Sequence, residues 1–152
     1  MLFFFLACAD SDGKLSSDQL AADLWAEMDN FESWEQAEPW VGIQPSADGT
    51  HGPFVEIWLN PEAMASIADA EAAEGSILVK RAYDDADGGG ARASVTTMWK
   101  VGEADAPETG WYWAAFDAAG VASNTGEPAG CTGCHAAGSD SRRIVTDIPG
   151  GA

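Results

Sequence analysis

The chain has 152 residues, a length that suits one domain around a single hydrophobic core. Its 46% apolar content, with seven tryptophans, excludes a disordered protein. With 25 acidic against 7 basic side chains and a net charge of −18, its field repels nucleic acid and anionic lipid headgroups, so a protein partner would need a basic contact surface.

The opening MLFFFLAC is too short to cross a bilayer. It reads as the remnant of an export signal leading to Cys8, the kind of position at which a bacterial lipoprotein is acylated. Residues 1–13 are therefore expected to be signal remnant, anchor and tether, and residues 14–152 a single domain outside the cytoplasm, in the periplasm or its equivalent. Lipidation of Cys8 would also account for the odd cysteine if Cys131 and Cys134 act together.

From 14 to about 42 the pattern is helical. Ser16 and Gln19 have capping-box spacing, and Leu20, Leu24, Met28 and Phe31 recur every three or four residues. A Trp-rich, Pro-terminated exit follows around Trp34 and Trp40, aromatics expected in the core. QPSADGTHGP is turn chemistry and puts His51 on a surface turn; FVEIWLN after it is a strand. Asn60 as N-cap, Pro61 at the first helical position and Gly75 as the stop predict a short helix. SILVKRAY, RASVTTMWK and GWYWAAFDAAG read as further strands, with DDADGGGA as a hairpin loop. Strands joined by short loops pair antiparallel, so the expected fold is α+β, an antiparallel β-meander of four to five strands with flanking helices. After Val121 the chain turns Gly-, Ala- and Ser-rich.

One strong feature remains near the end, CTGCH at Cys131, Cys134 and His135. Two thiols one helical turn apart can add across the vinyl groups of haem, and the adjacent histidine can reach the iron. Other readings fit less well. A thioredoxin-type disulfide wants a βαβ setting and a zinc site needs a second ligand pair when His51 is the one other histidine, while a simple structural disulfide is open to an exported protein; the exported context and the adjacent histidine favour haem. Because the motif comes late, any sixth iron ligand must lie upstream, at Met64, Met98, His51 or Lys80. Met64 reads as core packing on the short helix, and Met98 sits mid-strand.

Taken in order, HGPFVEIWLNPEA, GSILVKRAY, SVTTMWKVG, GWYWAAFDAAG and CTGCH followed by SRRIVTDI resemble the cytochrome P-460 family and its relative cytochrome c′-beta. The resemblance runs from His51 to Ile148. It implies an exported, antiparallel-sheet protein, often dimeric, with one covalently attached haem c and a five-coordinate iron. By that resemblance Cys131 and Cys134 are the thioether cysteines and His135 the proximal ligand. Lys80 falls where the P-460 branch has a lysine joined covalently to a meso carbon of the porphyrin; a desolvated amine could make that bond. Strand alternation puts Lys80 on one face with Leu78 and Ala82, and Val79 and Arg81 on the other. Val55 stands where that branch has a distal arginine and Thr96 where it has a distal glutamate, which makes Lys80 and Thr96 the candidate catalytic residues. Thr96 can hydrogen-bond but cannot accept a proton near neutral pH, which weakens the case for hydroxylamine oxidation. A distal wall of Phe54, Val55, Leu78 and Met98 would suit an uncharged diatomic such as nitric oxide. The expected function is binding or oxidation of small nitrogen oxides, with a gas-binding protein of the c′-beta type and a six-coordinate electron carrier as the alternatives.

Overall fold

A computed structural model of the chain describes residues 14–46, 49–92, 94–102, 105, 107–138 and 140; Cys8 and SRRIVTDI lie outside the described residues. Helix α1 spans Ser17–Glu27 and begins as its sequence predicts. Ser16 Oγ accepts from the Gln19 N–H at 3.3 Å while Gln19 Oε1 accepts from the Ser16 N–H at 2.8 Å. Such a cap stabilises a helix by about 1 kcal/mol. The helical pattern runs to about residue 42, but α1 ends at Glu27 with Met28 as its C-cap. Asp29 and Asn30 favour turns over helix interiors, and Asn30, at φ 58, turns the chain into a single 3₁₀ turn at Phe31–Ser33.

Strand β1 is Gln44–Pro45 and β2 is Phe54–Leu59. At the end of β2 one buried side chain organises the crossing to the next strand. Asn60 Oδ1 accepts from the Ala63 N–H at 3.0 Å and the Ile77 N–H at 2.9 Å, while its Nδ2 donates to the Gly75 carbonyl at 2.8 Å. Asn60 thus caps α2, Pro61–Ala65, and fastens the return into β3, Ile77–Tyr83. The helix expected to run to Gly75 stops at Ala65. Ser66 Oγ donates to the Glu62 carbonyl at 2.9 Å and accepts from the Ala73 N–H at 3.1 Å, and this buried hydroxyl draws the alanine-rich segment into turns.

Strands β4, Val95–Lys100, β5, Trp111–Phe116, and β6, Ala122–Gly126, complete an antiparallel six-stranded sheet in simple sequential order, followed by α3, Ala129–His135. The fold is the α+β meander expected, with two more edge elements than the four clear strand patterns. β1 is two residues long with Pro45 at the edge, where a missing N–H is harmless. β6 pairs with β5 across a register shift between Trp113 and Ala115.

The sheet divides the core in two. On one face, Ile77, Val79, Val95, Tyr112 and Phe116 pack against Leu20, Leu24 and Met28 of α1. Tyr112 adds a polar tie, its hydroxyl donating to the Ser17 carbonyl at 2.6 Å. On the other face, Val55, Ile57, Leu59, Leu78, Met98, Trp111 and Trp113 form the second cluster, joined by Trp40, Met64 and Cys131. Among the described residues no helix is long and apolar enough to cross a membrane.

Candidate functional site

α3 is only seven residues long and, apart from Ala129, made of weak helix formers, including Gly130 and Gly133, so it would be marginal in isolation. Contacts hold it. Cys131 packs against the second core cluster and His135 is only 4% exposed. Just beyond the helix, Asp140 Oδ1 accepts from Lys100 Nζ at 2.9 Å, its Oδ2 from the Ala72 N–H at 2.9 Å, and its carbonyl from Trp111 Nε1 at 2.8 Å. One residue so ties the exit of α3 to β4, β5 and the segment before β3. Spacings of three and four residues put Cys131, Cys134 and His135 on one side of the helix.

That side looks onto the sheet across a cavity of about 340 Å³. Register explains the wall. Ile57, Lys80, Thr96 and Ala115 form one row across β2 to β5, and Leu59, Leu78, Met98 and Trp113 the next. The cavity is lined by members of both rows with Cys131, Cys134, His135 and Gly130 above. Nothing lies within 4 Å of where a Gly130 Cβ would stand, so the space before the helix is open there. The Trp113 and His135 rings meet edge to face, centroids 6.2 Å apart, which sets the imidazole over β5.

Lys80 is 8% exposed and shares the cavity face with Leu78 and Ala82, as strand alternation predicts. Thr96 is its direct cross-strand neighbour and also lines the cavity. Met98 lies in the wall as well, whereas Met64 packs at the edge of the apolar cluster. Two expectations need correcting. Phe54 alternates to the opposite face from Val55 and is no part of the wall, and Val55 pairs with Ala82 a row beyond Lys80, in the core beside the cavity. Ile57 takes the place assigned to them. His51, read as a surface-turn residue, is half-buried and lines the cavity together with Thr50. The turn itself was legible; its folding back over the sheet depends on contacts no local pattern records.

No disulfide joins Cys131 and Cys134, and among the described residues no group of three metal-ligating side chains suggests a zinc site. Burial, and after it the neighbouring Cys134, pushes the Cys131 thiol above its usual pKa, against a smaller opposing effect of the Lys80 charge.

A family model described as Cytochrome P460 matches residues 28–145, most of the chain and all of the sheet and site. The chain belongs to the cytochrome P460 family. None of the curated proteins compared with it matches. Membership in this family implies a haem cofactor, and the cavity fits one. It is predominantly apolar, it gathers both thiols and the histidine on one side, and Trp113 Nε1 is buried in its wall without an acceptor among the described residues. A buried N–H left in that condition is costly, and a bound group able to accept from it would relieve the cost.

Proposed function

We propose that this chain is an exported c-type cytochrome with one haem, held through thioether bonds from Cys131 and Cys134 and ligated by His135, that binds small nitrogen oxides, nitric oxide foremost. The observation carrying this reading is the convergence of both thiols and the buried imidazole on a largely apolar cavity. When bound, the haem supplies an iron with a coordination position for a small ligand, and with it the redox chemistry.

The protein's own residues decide what reaches that position. Ile57, Leu78 and Met98 exclude water and favour an uncharged diatomic ligand. Thr96 can offer or accept a hydrogen bond but cannot take a proton, and no carboxylate stands among the described residues lining the cavity to do so in its place. Gas binding is accordingly the stronger reading, and hydroxylamine oxidation the weaker. On this reading Lys80, buried at the cavity wall, would make the covalent bond to the porphyrin known from the P-460 branch. The reading includes anchorage through Cys8 outside the cytoplasm, membrane contact through that lipid alone, pairing into dimers and electron exchange with a basic protein.

Optical spectra of the reduced holoprotein test it. Added nitric oxide should shift the Soret band at once; a Met/His-type spectrum that nitric oxide leaves unchanged would make the protein an electron carrier closed by Met98. Recovery of an unmodified Lys80 peptide in full yield would remove the cross-link from the account.

A further inference from the structure

CTGCH sits in a segment that is fastened to the sheet at both ends, and both fastenings reach the same place. Before α3, the Glu127 carboxylate accepts from the Glu108 N–H at 3.0 Å and the Thr109 N–H at 2.8 Å. Beyond α3, Asp140 accepts from Lys100 Nζ and Trp111 Nε1, and also from the Ala72 N–H. Lys100 closes β4, Trp111 opens β5, and Glu108 and Thr109 lie in the connection between them. The chain therefore leaves the β4–β5 connection at Glu127 and returns to it at Asp140, with both thiols and the imidazole on the loop so formed.

Between these two clips the segment is lightly built. α3 contributes Cys131 to the second core cluster, and His135 is its one buried residue. A Cβ at Gly130 or Gly133 would meet nothing within 4 Å, so both glycines lie clear of the rest of the fold. The entry is jointed: Gly126, at φ +87, takes a conformation that other residues resist, where the chain leaves β6. Burial pushes the Glu127 pKa up, but the hydrogen bonds from Thr109 and Glu108 outweigh it and hold the carboxyl below its usual value, so this clip is charged at neutral pH. The sheet has its own support, because α1 packs on its other face through Leu20, Leu24 and Met28.

We propose that α3 is a strap that opens and closes on a standing sheet, with Glu127 and Asp140 as its two clips, so that a porphyrin enters the cavity before the thiols and the imidazole are brought down on it. Neither carboxylate lines the cavity; both are positioning residues that act through α3. The inference deepens the haem reading above and rests on it for the identity of what enters, while the strap motion itself is a property of the chain alone.

Hydrogen exchange read by peptide mass spectrometry tests it, on the full chain made without haem and kept reduced. Near-ultraviolet circular dichroism first checks that the sheet and α1 are packed; a chain without a fixed signal would overturn the proposal. The α3 amides should exchange faster than those of β3 and β5. Leu24→Ala should speed β3 and β5 by about thirtyfold or more and leave α3 unchanged, because Leu24 stays packed when the strap opens. Asp140→Ala should speed α3 by about tenfold or more and Glu127→Ala by about threefold or more. Asp140→Asn and Glu127→Gln, which keep the shape and remove the charge, replace an alanine variant that fails to fold and should act in the same direction. Exchange in α3 that keeps step with β3 and β5 and rises in Leu24→Ala, or that neither clip variant changes, would overturn the proposal. Haem per chain, measured on protein from a host that matures c-type cytochromes, judges the haem reading separately: a colourless protein whose α3 still opens alone would remove the haem and keep the strap.

Discussion

Val79 and Lys80 are neighbours in β3, yet they serve different halves of the molecule. Val79 is fully buried against the α1 side, among Leu24, Tyr112 and Phe116, where apolar side chains fill the space. Lys80, also buried, faces α3 across a cavity with Thr96, Met98 and His135. The same six strands therefore build a packed face and an open one, and the alternation of a strand keeps their requirements separate. Stability can be concentrated on the α1 side while the other side spends packing density on a space for a ligand.

That contrast can be broken most severely at the open face. His135→Ala should abolish the accumulation of haem-loaded protein, read as haem absorbance per mole of chain, while the packing of α1 on the sheet, followed by near-ultraviolet circular dichroism, stays close to that of the parent. Next in size is a matched pair. Leu24→Ala removes a side chain that is entirely buried and should cost about 2–5 kcal/mol in denaturant unfolding, with nitric oxide binding unchanged. Leu78→Ala borders existing space and should cost less, but should change the rate of nitric oxide association in stopped-flow measurements. Equal costs for the two, with no kinetic change in the second, would mean that the faces are not specialised. Smaller still, Asp140→Ala removes the acceptor for Lys100 and the Ala72 N–H and should cost about 1–3 kcal/mol, with a broadened ferrous spectrum as α3 loses its tether.

Much of this division was legible in the sequence, for physical reasons that differ by element. β2 to β5 are rich in β-branched and aromatic residues, so both their existence and the side on which Lys80 falls followed from alternation. CTGCH carries its chemistry in its spacing. β6, ASNTG, has almost no strand propensity and is a strand because β5 offers an unpaired edge; Asn124, at φ 50, lies outside ordinary strand geometry. α2 ends early through the hydroxyl of Ser66, a contact with residue 73 that helical periodicity cannot anticipate. His51 and Thr50 reach the site because a loop folds over the sheet, and Ile57 stands in the wall because alternation turns Phe54 to the other face and register sets Val55 one row beyond Lys80. The Asp140 tether joins positions far apart in sequence and has no local signature.

The most direct test of the haem attachment is the intact mass of the polypeptide under denaturing conditions, after expression in a host that matures c-type cytochromes. The chain should carry the added mass of one haem, mapped by proteolysis to the peptide holding Cys131 and Cys134, and should keep its colour on denaturation. A colourless chain with both thiols open to alkylation would contradict it.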